Sequence, residues 1–357
     1  KYKGVWIMAY ITFQPHDYFN TLLYTGNNTD NRAITGVGFR PDWCWFKLRN
    51  TDQQHELFDI VRGANKTIEA DSTAAETTNT NRLKSFDSDG FTLGTSTAVN
   101  KNYNYVCWNW RAANAQGSSN TDGSINTTYT SANTTSGFSI SKYNGNGSNG
   151  ATIGHGLGVA PDLVIIKRTD TTSNWIFSNR KLGFNKFLYL NTTDAETTNS
   201  GPFNDTAPSS SVITLGTWND VNNSSGTYVA YAFAEKKGFS KFGTYTGTGN
   251  ANGAFIYTGF KPAMVMVRKS SGSGENWNMF DNKRGGDGAI RKVLYANTID
   301  DEENKTGGMD FLANGIKMRG TDGAFNAAAT YVFMAFAEEP LVASNGDPAT
   351  AGSPIIG

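Results

Sequence analysis

Residues able to do chemistry are sparse in this chain. His16, His55 and His155 are its three histidines and Cys44 and Cys107 its two cysteines, in 357 residues. None stands at ligand spacing from a second histidine or cysteine, so no zinc or copper centre, and no other metal or cofactor, is expected. No G-x-S-x-G elbow is present for a nucleophilic serine. Gly145-Asn-Gly147-Ser-Asn-Gly150 matches G-x-G-x-x-G, but a dinucleotide site needs that loop to open a helix. Here it runs into Ala151-Thr-Ile-Gly-His-Gly and then Pro161, and reads as a hairpin turn. Asp87-x-Asp89 has a loose calcium-loop spacing but is better explained as a solvated turn. Glu76, Glu196, Asp300, Asp301, Glu302 and Glu303 cluster near turns, and a glycosidase would need two such groups facing each other across a cleft. No catalytic residue is assigned.

One pattern has binding potential. Phe58-Asp59-x-x-Arg62-Gly63 and Phe280-Asp281-x-x-Arg284-Gly285 each place an arginine three residues after an aspartate. Structurally, the aspartate would cap turn amides while the arginine pairs with it. Functionally, the couple beside Trp277 could hydrogen-bond and stack a sugar. Asp59, Arg62, Trp277, Asp281 and Arg284 are therefore the candidate ligand contacts. The middle copy reads Ser178 for the aspartate and Lys181 for the arginine, which weakens a shared-site reading.

The elements that must position these residues form an internal triplication. GVGFRPDWCWFK, GLGVAPDLVIIK and YTGFKPAMVMVR are centred on Pro41, Pro161 and Pro262. Each has a glycine three residues before the proline (Gly38, Gly158, Gly259) and a cation six after it (Lys47, Lys167, Arg268). Landmarks at Tyr24, Tyr143 and Tyr245 precede these motifs, those at Phe58, Phe177 and Phe280 follow, and YVCWNWRA, YVAYAFAE and YVFMAFAE close each unit. The expected organisation is an N-terminal leader at 1–17, repeat 1 at 18–113, a Ser/Thr/Asn-rich linker at 114–136, repeat 2 at 137–236, repeat 3 at 238–340 and a tail at 341–357. The linker is expected to carry at most a short strand near Ser124-Ile125. Residues 1–7 are open to a non-native reading, with Met8 as the natural start.

Short segments rich in aromatic and β-branched residues, bounded by turn-formers and without a 3.6-residue apolar period, predict an all-β chain with few helices. Three tandem antiparallel sandwiches, jelly-roll or lectin-like, are expected; the alternative is a single prism- or propeller-like domain with threefold character. In the proline-led strand Trp43 and Trp45 share one face, Cys44 and Phe46 the other. Leu163 and Ile165, then Met264 and Met266, repeat the pattern. A strand apolar on both faces needs a second cover, from a neighbouring repeat or another subunit. Copies two and three put Val164, Val265, Ala230 and Phe333 where copy one has Cys44 and Cys107, so cysteine reads as packing, with a mutual bridge as the other possibility.

The balance of 31 basic against 31 acidic residues gives no field for nucleic acid or an anionic membrane. Charged residues make up 17% and aromatics 13%, a profile of β-rich extracellular or virion proteins. No apolar run is long enough to span a membrane.

PHDYFNTLLYTGN, the GVGF-x-PD strand, DSDGFTLGTSTAVNKN, YVCWNWRA, GSINTTYTSANTTSGFSISKY, GHGLGVAPDLVIIKR and YVFMAFAEEP together resemble a family of repeat-containing, tail-fibre-like structural proteins of marine bacteriophages. The resemblance implies a non-enzymatic protein on the virion exterior, with lectin-like sandwich repeats. Its implied partners are copies of itself, with a trimer favoured, other virion proteins and host-surface glycans. A glycan-binding adhesin and, third, a polysaccharide depolymerase are the competing readings.

Overall fold

The three proline-led motifs each become an inner strand of an antiparallel sheet, between the closing strand of the repeat and the strand that follows the motif, and this order recurs three times. A computed structural model describes residues 14–285 and 290–339; the Met8 start and the tail at 341–357 lie outside them.

Repeat 1 opens with a 3₁₀ turn at Pro15–Asp17 and contains β1 (Phe19–Thr25), β2 (Arg32–Thr35), β3 (Trp43–Leu48), β4 (Glu56–Asp59), β5 (Lys66–Glu69), β6 (Thr77–Thr78), β7 (Leu83–Asp87), β8 (Gly90–Leu93) and β9 (Asn104–Trp110). Repeat 2 contains β10 (Tyr129–Asn133), β11 (Phe138–Asn144), β12 (Ala151–Gly154), β13 (Leu163–Arg168), β14 (Trp175–Asn179), β15 (Lys186–Tyr189), β16 (Thr197–Thr198), β17 (Val212–Leu215), α1 (Asn219–Asn222) and β18 (Thr227–Phe233). Repeat 3 contains β19 (Ser240–Thr246), β20 (Asn252–Tyr257), β21 (Met264–Lys269), β22 (Asn278–Asp281), β23 (Ile290–Tyr295), β24 (Glu303–Leu312), β25 (Gly315–Arg319) and β26 (Thr330–Phe336).

The main sheets run β1-β9-β3-β4-β5-β6, β10-β11-β18-β13-β14-β15-β16 and β19-β26-β21-β22-β23-β24-β25-β20. Repeats 1 and 2 close their sandwiches with separate small sheets, β2-β8-β7 and β12-β17, whereas pairing of β23 with β24 merges both layers of repeat 3 into one nearly closed sheet.

Alternation in β3, β13 and β21 sends side chains into two different cores. Cys44 and Phe46, Val164 and Ile166, and Val265 and Val267 face the interior of their own sandwich. Trp43, Trp45, Leu163, Ile165, Met264 and Met266 face a single central core built by all three repeats. Trp43 stacks on Tyr231 at 4.5 Å, Phe177 meets Trp277 at 4.7 Å and Phe19 stacks on Phe336 at 5.3 Å, so each pair of repeats shares ring contacts. The second cover demanded by the two-sided strands is thus the neighbouring repeats of the same chain. The two expected architectures coincide: three sandwiches stand around one threefold centre.

Two glycine sets explain why the motifs repeat. Gly38, Gly158 and Gly259 adopt φ of +85°, +70° and +81°, a turn that L side chains resist. Gly26, Gly145 and Gly247 lie so close to the carbonyls of Lys101, Asn223 and Ala327 that an added Cβ would sit 1.7, 2.3 and 2.1 Å from them.

Residues 114–136 do not form a plain linker. β10 pairs with the edge of β11, and Ile125 forms a parallel bridge to Ile153 of β12. Side chains with few charges and many hydroxyls mimicked a tether, yet Ser131 and Thr127 are buried in the repeat. The G-x-G-x-x-G stretch is likewise no hairpin: it carries the chain from the main sheet to the small one.

Candidate functional site: the junctions between repeats

The five candidate ligand contacts are brought together with partners, but inside the protein. The side chains of Asp59, Arg62, Asp281 and Arg284 are 0% exposed and Trp277 is 1% exposed. No glycan reaches them, which corrects the reading of these residues as a sugar platform. The turn-building reading describes the geometry instead. Arg62 donates through Nε to Asp59 (2.5 Å) and through Nη2 to the Leu57 carbonyl (3.0 Å), while Asp59 accepts the Arg62 amide (2.9 Å). Arg284 repeats this with Asp281 (2.6 Å), Met279 O (2.9 Å) and its own amide (2.9 Å). Burial alone would lower the Arg62 pKa, but Asp59, Tyr231 and Glu76 outweigh it and raise it.

Each aspartate also receives a donor from the next repeat. Tyr231 Oη donates to Asp59 (2.7 Å), and Trp108 Nε1 donates to Asp281 (3.1 Å) with its ring 5.3 Å from the Arg284 guanidinium. Tyr231, Trp108 and Met334 are register equivalents in the closing strands, opposite Ile165, Trp45 and Met266. The register also shows that Asn179, opposite Leu163, matches Asp59 and Asp281. The middle copy is therefore Asn179 and Leu182, not Ser178 and Lys181. Asn179 keeps the turn by accepting the Leu182 amide (2.8 Å), and Leu182 packs against the central core. Where the charged pair is lost, the donor position has become Met334, so the three positions change as a set.

The cations six residues past each proline tie the repeats into a ring. Lys47 Nζ donates to Ile299 O of repeat 3 and Gln53 O, both at 2.7 Å. Lys167 Nζ donates to Thr73 O of repeat 1 (3.0 Å) and to Ser173 O, and Arg268 Nη2 donates to Asp194 O of repeat 2 (2.9 Å). Burial pushes Lys47 and Lys167 down to about 8 and Arg268 down to about 10, against the pull of nearby carboxylates. Backbone bonds follow the same cycle: Glu76 N to Thr169 O (2.9 Å), Glu196 N to Ser270 O (2.9 Å) and Glu302 N to Arg49 O (2.8 Å). Trp175 Nε1 reaches Glu69 O and Trp277 Nε1 reaches Tyr189 O, both at 2.9 Å. The third position holds His55, which accepts from Trp45 Nε1 (2.8 Å), lies against the Tyr295 backbone and is driven well below its usual pKa by burial. Repeat 3 thus joins repeat 1 through the contacts that join 1 to 2 and 2 to 3.

Among the other candidate groups, Asp87 and Asp89 bond within or beside their turn, whereas Glu302 bonds across a junction. Asp89 accepts from Gly36 N (3.1 Å) and Gly38 N (2.6 Å), and Asp87 from the Ser85 and Thr92 hydroxyls (both 2.7 Å). Glu302 takes Arg49 in two bonds, 2.9 and 3.1 Å, and is held below its usual pKa by Arg49, Arg284 and Lys292, although burial opposes this. His155 is buried, its Nδ1 accepting from Leu157 N (3.2 Å). Cys44 and Cys107 are free, buried thiols, each within hydrogen-bond reach of Asn109 Oδ1. No group of three or more metal-ligating side chains occurs among the described residues, and no described helix is long and apolar enough to cross a membrane.

Sequence reasoning overlooked three asparagines. Asn100, Asn222 and Asn326 are buried, and each donates to two loop carbonyls, Thr29 and Gly94, Ser148 and Gly216, or Asn250 and Gly320. Each also accepts from the loop after the landmark tyrosine, at Asn27, Asn146 or Thr248. The signal was a Val-Asn, Val-Asn, Phe-Asn dipeptide shortly before each closing strand.

No curated protein matches the chain in sequence, and no solved structure matches it. A family model described as Domain of unknown function (DUF7483) matches residues 14–340. That span takes in all three repeats, β10 of repeat 2 included, and the chain belongs to this family.

Proposed function

We propose that the protein is a non-enzymatic structural component of a phage virion, tail-fibre-like or part of a surface appendage. The observation that carries this reading is the fate of the charged groups. Asp59, Arg62, Lys47, Lys167, Arg268, Asp281 and Arg284 are all buried and all hold one repeat to itself or to the next. Side chains that an enzyme would set in a cleft are used here as internal fasteners, which suits a body that must stay rigid. The motifs resembling phage appendage proteins supply the setting. Because the three repeats already fill their threefold centre, assembly into a larger structure uses outward surfaces, and contact with host glycans would fall on exposed loops. Immunogold labelling of purified virions with antibody to this chain is expected to decorate the particle exterior. Particles lacking the chain, or release of reducing ends from host polysaccharide by the pure protein, would overturn the proposal.

A further inference from the structure

Among the described residues, the merged sheet of repeat 3 starts at β19 and ends at β20, and it does not close. Between these strands runs a groove of about 280 Å³, walled by Lys241 to Tyr245, by Phe255 to Tyr257 and by Lys181 of repeat 2. A hollow of about 310 Å³ adjoins it along Ser240 and shares Lys241 and Tyr257. Phe255 and Tyr257 are 47% and 61% exposed, large apolar surfaces left open at the mouth.

Repeat 2 shows what fills this place. There β10 pairs with Phe138–Lys142 of β11, and Ile125 bridges Ile153 of β12 while its amide donates to Thr152 O (2.9 Å). Phe138 and Lys142 lie opposite Phe233 and Val229; Ser240 and Thr244 lie opposite the equivalent Phe336 and Val332. The β19 residues that line the open groove are thus those matching the β11 residues that β10 covers. Likewise β20 matches β12, with Ile256 against Ile316 as Ile153 is against Ile213. The chain has a long passage, 111–137, between β9 and β11, and fills repeat 2 with it. Between β18 and β19 only 234–239 intervene, too few to do the same.

We propose that the seam of repeat 3 is a docking site for an extended polypeptide segment from another chain, which adds as a strand to β19. By the template of repeat 2, the segment carries small hydroxyl and amide side chains along β19 and one branched apolar residue beside β20. Glu235 guards the edge meanwhile: its carboxylate accepts from Phe242 N (3.0 Å) and pairs with Lys241 (2.6 Å), a side-chain plug that an incoming strand displaces. Lys181 is exposed at the mouth and has no carboxylate at ion-pair distance among the described residues, which favours an acidic residue at one end of the segment.

The test is hydrogen exchange on the full chain with a synthetic peptide of its own residues 118–133, against a scrambled peptide. Saturable protection of the Phe242 and Thr244 amides, slowed at least about tenfold, is expected from the native-order peptide only. Glu235→Ala is expected to tighten binding by unplugging the edge. Protection confined to β11 and β12 would mean exchange into repeat 2 and would overturn the proposal. So would equal binding of the scrambled peptide, or protection of this groove by acidic oligosaccharides but not by the peptide.

Discussion

Replacing Arg62 with leucine, the residue at the matching position of repeat 2, tests whether the three junctions are built as sets. In the wild type Arg62 is fully enclosed and contributes an ion pair to Asp59 and a bond to the Leu57 carbonyl. Arg62→Leu leaves the Asp59 carboxylate buried with only the turn amide and Tyr231 Oη, and removes the Arg62 contacts with the Leu57 carbonyl and Glu76. Orphaning a buried charge costs about 3–5 kcal/mol, and each further lost bond adds about 0.5–1.5 kcal/mol. Adding Asp59→Asn reproduces the repeat 2 pair. An amide in place of the carboxylate removes the charge penalty while Tyr231 keeps an acceptor, so the double variant should lie within about 2–3 kcal/mol of wild type. The coupling between the two substitutions is then at least about 2 kcal/mol in the rescuing direction. Guanidinium unfolding followed by near-ultraviolet circular dichroism, with m unchanged, measures it. If the double variant is as unstable as the sum of the singles, Asp59 and Arg62 do not act as a pair and the set interpretation of the junctions fails.

Other consequences follow from the same geometry. Lys47 and Lys167 have folded pKa values lowered to about 8, so above that pH the folded state sheds protons that the unfolded state still holds. Stability should therefore rise from pH 8 toward 9.5, each lysine contributing up to about 1.4 kcal/mol per pH unit, and the slope of urea midpoint against pH should fall in Lys47→Met. Asn222→Ala removes three bonds from a buried loop lock and should cost about 2–4 kcal/mol in the same denaturation experiment, whereas substitution of the exposed Asn219 should cost under about 0.5 kcal/mol. Cys44→Val installs the residue of repeat 2 in a packed site; a change under about 1.5 kcal/mol is expected, with both wild-type thiols unreactive to Ellman's reagent until unfolding.

The triplication and the all-β class were legible because they rest on local signals: repeated proline and glycine positions and runs of alternating aromatic and aliphatic residues. Burial on both faces of Trp43-Cys44-Trp45-Phe46 was legible as well, since no alternation of polar residues is present. What covered those faces was not, because a neighbouring repeat and a second subunit make the same demand on a strand. Asp59 and Arg62 suggested both a turn and a sugar clamp, and only Tyr231 closing over them, as Trp108 closes over Asp281 and Arg284, separates the two. In sequence Phe177 resembles Phe58 and Phe280 in type, which points to Ser178 and Lys181 as the middle copy; strand register puts Phe177 level with Leu57 and Met279, one position away from Phe58 and Phe280. Residues 114–136 failed for a compositional reason. Serine, threonine and asparagine satisfy a sheet edge as readily as they keep a tether in water.

Closure of three repeats within one polypeptide also changes how the molecule can vary. In a symmetric trimer of identical subunits every substitution appears at all three junctions at once, so each must tolerate it three times. Here the junctions have separate addresses in the sequence. One holds aspartate, arginine and tyrosine, a second aspartate, arginine and tryptophan, and a third asparagine, leucine and methionine, while one sandwich mouth is stitched shut and another stands open. Joining the copies has let a threefold body acquire a front and a back.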